Sequence, residues 1–384
     1  MKQVDLVILG AGPAGSAAAV TARRAGLTVA LIDKARFPRD KLCGGLITGR
    51  CAAHLARIFG QEITEDLFDT RRNFEFFMQG QDLGRLDDVP PLHLTMRHAF
   101  DARLLDHALD AGAEDYTGHR VSTLELAKNR LTLESGQTLA FKVLIGTDGV
   151  QSPVAKELFG RAFDPDRVGF ALEVEAPAHP DQSRIRIDFA AARWGYGWSF
   201  PKRGSTTVGL GGLHSPNPDM KAHLAAYLDL LNTGQDAKVK GHFLPFGDAK
   251  SRPGRANILL VGDAAGLVDP ITGEGIGHAI QSGELAALSA ARAMHKNTPF
   301  QAFRDYHRAT RPIRRAILHA RLLRPLIFTP RLQPFFARTF KTSRSLKREY
   351  MHLLSGEAEY PDLLLRVLAR LPAASLRNIR GKNP

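Results

Sequence analysis

The chain has 384 residues, 44% hydrophobic and 24% charged, a composition that suits an ordinary globular protein of about two lobes at roughly 150 residues each. Two cysteines, Cys43 and Cys51, exclude a disulfide scaffold and a Cys-ligated iron–sulfur cluster and fit a reducing cytosol. The net charge of +13 resides in residues 301–384, which hold 18 Lys+Arg against 5 Asp+Glu, leaving 34 of each sign in residues 1–300. A basic region of this kind suits an anionic partner (a membrane surface, a diphosphate or a nucleic acid), or else it is a solvated helical face.

In chain order, residues 4–9 read as a short buried strand, 13–25 as a small-residue helix and 28–33 as a second strand. The short apolar opening runs straight into glycines, which marks a strand rather than a signal peptide. No stretch approaches the ~18–20 apolar residues that cross a bilayer. A loop rich in Gly, Pro and charge follows over 35–50. Helical patterns occupy 97–112 and 152–159, and strand-like stretches 121–126, 130–134 and 138–146. Between about 165 and 250 the pattern alternates with period two, as in 184–189 and 206–212, which marks strands with one buried face. A strand–loop–helix returns at 257–295. Residues 299–384 look helical and Arg-rich, cut into short pieces by Pro312, Pro325, Pro330 and Pro334. The expected fold is α/β: a discontinuous Rossmann-like lobe (1–165 and 250–297), a second, antiparallel β-sheet lobe (166–249) and a basic helical C-terminal region (298–384).

Gly10-Ala11-Gly12-Pro13-Ala14-Gly15 follows the first strand and opens a helix. Glycines there permit a tight turn, close approach of backbone to a pyrophosphate, and helix–strand packing, while the helix N-terminus offers N–H groups to phosphate. Asp33 ends the second strand, where a carboxylate can accept from ribose hydroxyls. Strand, helix and acid together make a dinucleotide fingerprint. NAD and FAD share it.

Two later corners favour FAD. Asp148-Gly149 ends one strand and resembles the DG motif of flavoprotein monooxygenases and their relatives; Gly262-Asp263 ends another and resembles their GD motif, whose Asp contacts the ribityl chain. An Asp before Gly can also be a plain turn former, but two behind one fingerprint argue against that. Gly275-Ile276 opens a long helix, and in the resembling enzymes such a turn faces the flavin pyrimidine edge. Arg97 matches a recurring Arg near the flavin, although a lone helical Arg is more often a surface residue.

Arg39-Asp40-Lys41-Leu42-Cys43-Gly44-Gly45 and Tyr196-Gly197-Trp198-Ser199-Phe200-Pro201-Lys202, the latter followed by Gly209, together resemble the geranylgeranyl reductase family, whose pattern is YxWxFPK-x6-G with an upstream CGG. The likeness runs from the glycine motif to about residue 290, and more loosely to residues 355–363. It implies flavin contacts at Lys34, Cys43, Gly44, Gly45, Val121 and Pro270 besides those above. Tyr196, Trp198 and Phe200 alternate and so share one strand face, forming an apolar wall for a long hydrocarbon, unless they are a plain core stripe. Pro201 is expected to end that strand, leaving Lys202 to position a phosphate or face water. Cys43, beside Lys41, is a candidate proton donor with Tyr196 and Trp198 as catalytic neighbours, although a buried inert Cys is commoner. Cys51 has no motif.

The implied activity is hydrogenation of isolated C=C bonds in a prenyl or other lipid chain by reduced FAD, fed by NAD(P)H or a ferredoxin. Competing readings are an FAD monooxygenase or halogenase of an aromatic compound, electron transfer to quinone, and dehydrogenation of a lipid chain. No metal site is expected. The Arg residues alternate with Leu, Ile and Phe as in a membrane-facing cap rather than a nucleic-acid reader. The expected location is the cytoplasm, with attachment to the inner membrane face as a further option.

Overall fold

The computed structural model describes residues 1–178, 182–246 and 248–361. Strand Lys2–Leu9 is the centre of the first sheet, and Leu6, Val7 and Ile8 are fully buried because both faces are covered. The order is Gly254–Arg255, Ile258–Leu260, Thr138–Gly146, Lys2–Leu9, Val29–Asp33, Glu114–Thr117. All pairs from Ile258–Leu260 to Glu114–Thr117 are parallel, so Leu9, Asp33, Gly146 and Leu260 end on one edge. Strands Val121–Glu125 and Arg130–Leu133 add an antiparallel flap.

Small residues let two helices touch on one face of this sheet. Helix Pro13–Arg24 buries Ala14, Ala17 and Ala18, and helix Ile276–His295 brings Gly283 so close that a Cβ there would meet the Ala14 carbonyl oxygen at 2.2 Å. Both helices therefore aim their N-termini at the same carboxyl edge.

The second sheet runs Lys240–Leu244, Gly169–Pro177, Ser205–Leu213, Tyr196–Lys202, Ile185–Phe189, Phe74–Met78, Gln81–Leu86. It is antiparallel except that Ile185–Phe189 pairs parallel with Phe74–Met78. The two strands between 74 and 86 lie far upstream of residue 166, so the sheet draws on both segments of the chain. Helix Met220–Leu231 covers one face through Leu224 and Leu228 against Leu172, Val174 and Leu210. The other face carries Phe76, Phe189 and Trp198, partly covered by Phe328, Phe340 and Tyr350 from the C-terminal helices.

Those helices are Ala302–Ala309, Arg311–Phe328, Gln333–Thr342 and Arg344–Ser355. The prolines cut less than expected. Pro312 and Pro334 sit in first turns, where no N–H is needed, and Pro325 lies inside the last turn of an 18-residue helix, removing only one hydrogen bond. Among the described residues no helix is long and apolar enough to cross a membrane. The looser C-terminal likeness beyond residue 361 falls outside the described residues.

Candidate functional site

A cavity of about 730 Å³ opens between the carboxyl edge of the first sheet and the aromatic face of the second. Gly10, Gly12, Pro13 and Ala14 form one end of it. Gly15 lies beneath rather than in the lining: a Cβ there would sit 1.8 Å from the Gly10 carbonyl oxygen, so this glycine closes the turn against the helix. Gly12 caps helix Pro13–Arg24 without any side-chain hydrogen bond, leaving first-turn N–H groups open. Asp33 is held by two backbone donors, Ala11 N to Oδ2 at 2.9 Å and Ala35 N to Oδ1 at 2.8 Å.

Asp148 and Asp263 line the cavity from the two strand ends. Asp148 Oδ2 accepts from Val154 N at 3.1 Å, while Oδ1 has no hydrogen-bond partner among the described residues. Burial pushes this carboxyl up to about 6, against its hydrogen bonds from Ser152 and Val154. Gly275 caps helix Ile276–His295 with no side-chain bond, so a second uncapped N-terminus faces the same space. Lys34, Val121 and Ile276 also line it, whereas Pro270 is buried behind. An orphaned carboxylate oxygen, a braced Asp33 and two open helix ends fit a group rich in hydroxyls and phosphate, as FAD is.

Cations gather beside this end. Arg97 opens helix Arg97–Asp110 and is half-buried, its side chain only 10% exposed, because its guanidinium forks onto Asp101 at 2.6 and 2.7 Å. Burial works against its charge, but Asp101 and the neighbouring Cys43 sulfur overcome this and raise its pKa. Arg39 shares Asp101 at 3.2 Å. Burial lowers Lys41 to about 8, with Asp263 opposing, and lowers His242 to about 4, reinforced by Lys41 and Lys34.

Cys43, Gly44 and Gly45 line the cavity opposite the second sheet. Cys43 Sγ accepts from Gly45 N at 3.4 Å, and Cys43 N donates to Glu173 Oε1 at 3.0 Å. Cys51 is fully buried, and burial raises its thiol well above the ordinary value. Tyr196, Trp198 and Phe200 all line the cavity, with adjacent ring centroids 6.0 and 6.4 Å apart. Tyr196 is fixed by its hydroxyl donating to Thr272 O at 2.9 Å.

Two expectations at this wall are corrected. Pro201 does not end the strand, which pairs through Pro201 to Lys202 and turns at residues 203–204. Lys202 consequently neither faces water nor lines the cavity: it is 7% exposed, and Nζ donates to Thr207 Oγ1 at 2.5 Å. Sequence reading missed Glu173, His242, Tyr350 and Leu354. The last two reach the cavity from helix Arg344–Ser355, in a region that sequence reading took as a basic helical, membrane-facing cap. Among the described residues no cluster of His, Cys, Asp and Glu could hold a metal.

Fold and site define an FAD-dependent oxidoreductase, and a family model described as FAD dependent oxidoreductase matches residues 5–132. The chain is 32% identical to a menaquinone reductase of Mycobacterium tuberculosis, covering 74% of this chain and 75% of that one. It is 29% identical to a digeranylgeranylglycerophospholipid reductase of Methanosarcina mazei, covering 76% and 75%. A crystal structure of a geranylgeranyl bacteriochlorophyll reductase-like protein from Thermoplasma acidophilum shares the fold with TM-score 0.79 at 20% identity, over 96% of this chain and 99% of that one. A probable FAD-dependent monooxygenase from Pseudomonas aeruginosa shares it with TM-score 0.69 at 18% identity, over 89% and 100%. The chain belongs to the geranylgeranyl reductase family of FAD-dependent oxidoreductases.

Proposed function

We propose that this enzyme hydrogenates isolated carbon–carbon double bonds in the polyprenyl chain of a lipid. One observation carries the reading: Tyr196, Trp198 and Phe200 form an apolar wall on the cavity beside Cys43 and the two open helix ends. A long hydrocarbon fits such a surface better than a compact polar aromatic does. The names of the relatives support it, because menaquinone and digeranylgeranylglycerophospholipid share a polyprenyl chain.

In this reading the backbone N–H groups of Gly12 and Ala14 would hold the FAD pyrophosphate and Asp33 a ribose. Asp148 and Asp263 would take hydroxyls of the cofactor, and the open helix end at Gly275–Ile276 would favour negative charge on it. Reduced FAD, when bound, supplies the hydride. An unactivated alkene accepts hydride poorly, so a proton must reach its other carbon during or before transfer. Cys43 is the proposed donor. Arg97, anchored on Asp101, stands by its sulfur to stabilise the thiolate that remains. Tyr196 and Trp198 orient the chain and keep water from the reacting carbons.

The lipid would be met at a surface. Residues 306–348 contain no acidic residue, and Arg311, Arg315, Arg321, Arg331, Arg338 and Lys341 are exposed. Along helix Arg311–Phe328 the exposed Leu318, Leu322 and Leu326 recur every fourth residue, with Phe335 exposed on the next helix. Leucines amid arginines on one outward face suit an anionic membrane interface.

The test is mass spectrometry of lipid extracts incubated with enzyme, FAD and either NAD(P)H or reduced ferredoxin, seeking chains gaining two hydrogens. A second reading, reduction of a quinone ring, is favoured by the name of the mycobacterial relative. Air reoxidises a quinol but not a saturated chain, so products that revert in air would select that reading.

A further inference from the structure

The second sheet carries polar side chains that the reading above leaves unused. Across three neighbouring strands Glu173 stands opposite Gly209, and Gly209 opposite Trp198. Two residues along, Glu175 stands opposite Thr207, and Thr207 opposite Phe200; next, Ser205 stands opposite Lys202. Residues two apart share a face, so both glutamates, Thr207, Ser205 and Lys202 run alongside the aromatic wall.

Glu173 is 6% exposed. Its Oε1 accepts from Cys43 N at 3.0 Å, while the equally buried Oε2 has no partner among the described residues. A carboxylate so placed is poorly solvated, whereas a carboxylic acid is at ease there. Burial pushes the group up to about 7, opposed by the Cys43 N–H and by Lys202. From Lys202 the polar contacts continue outward: Nζ donates to Thr207 Oγ1, and Thr207 Oγ1 donates to Glu175 Oε2 at 2.7 Å. Ser205 Oγ donates to Glu175 Oε1, and these last two residues are only half-buried. The row thus runs from Lys202 to solvent, and Lys202 acts on Glu173 through its charge, with no hydrogen bond between the two.

We propose that Glu173 is the positioning residue that returns a proton to Cys43, and that Lys202, Thr207 and Glu175 connect it to water. The inference rests on the reductase reading above. When the Cys43 S–H bond breaks, its proton forms a C–H bond on the alkene. The thiolate regains a proton as the Glu173 O–H bond breaks, and the carboxylate then draws one from Lys202 and, through the row, from solvent. No electrons move along it. Charged and titratable neighbours are Lys202, Glu175 and Lys240 around Glu173, and Arg97, Lys41, Lys202, Tyr196 and Cys51 around Cys43.

The experiment is alkylation of Cys43 by iodoacetamide in the FAD-loaded protein across about pH 6 to 9, with the adduct located by peptide mass and C43S as blank. In the wild type, ionisation of Glu173 near neutrality adds a step to the pH–rate profile, because the new negative charge holds the thiol protonated. E173Q removes the step and alkylates about tenfold faster at the upper end of the range, from loss of that one nearby charge. Coincident profiles would overturn the proposal. Should E173Q fail to hold FAD, K202M carries the test: its step moves to higher pH, and an unmoved step overturns the idea equally. Turnover separates this from the parent reading. A wild type that reduces no lipid sinks the reductase assignment while the alkylation comparison stands; lipid reduction with coincident profiles sinks only the proton line.

Discussion

Gly209 lies directly opposite Trp198 in the sheet, and a Cβ on it would come within 2.5 Å of Trp198 Cζ2. The glycine is what lets the indole lie flat across the neighbouring strand beneath the cavity. G209V would therefore lift the ring into the cavity. We expect FAD content, read from flavin absorbance, to stay within about twofold. Lipid turnover should drop at least tenfold, with a stability loss of about 1–3 kcal/mol from overpacking. Unchanged turnover would remove Trp198 from the substrate wall.

Asp33 holds the glycine turn through Ala11 N as well as facing the cavity. D33A strands two backbone donors and removes an acceptor for a ribose. The expected result is a five- to hundredfold weaker FAD affinity by fluorescence titration, in line with about 1–3 kcal/mol for lost hydrogen bonds.

Asp148 gives a pH dependence. Its carboxyl is raised from 3.8 to about 6 in the folded protein without ligand. The stability that this group contributes is thus fully present below about 4 and is lost as pH rises through about 6. Hydroxyl donors from FAD would favour the ionised form, so binding should release protons near pH 6. Calorimetry in buffers of different ionisation enthalpy measures the release, and D148N should abolish it.

The exposed leucine face supplies a prediction independent of catalysis. Wild-type protein should sediment with vesicles containing phosphatidylglycerol and dissociate as salt rises, while neutral vesicles bind weakly. L322E places a charge at a position 68% exposed, where folding is indifferent to it, and should weaken vesicle binding at least tenfold. Equal binding by L322E would place the membrane contact elsewhere.

What the amino-acid order determined by itself was whatever depends on neighbours along the chain. The glycine turn before helix Pro13–Arg24, the acid ending strand Val29–Asp33 and the one-face aromatic triplet all follow from local backbone geometry and period two. Even Gly209 was visible as a spacing, though not its reason. The tertiary structure alone decided what meets across distance. Arg97 turns inward because Asp101 is there to pair with it; Lys202 turns inward because its strand continues past Pro201; and Glu173 reaches Cys43 across 130 positions. Strands Phe74–Met78 and Gln81–Leu86 likewise join a sheet whose other members begin at residue 169. Such contacts are set by register and packing between strands remote in sequence, and no local periodicity records which strand will lie beside which.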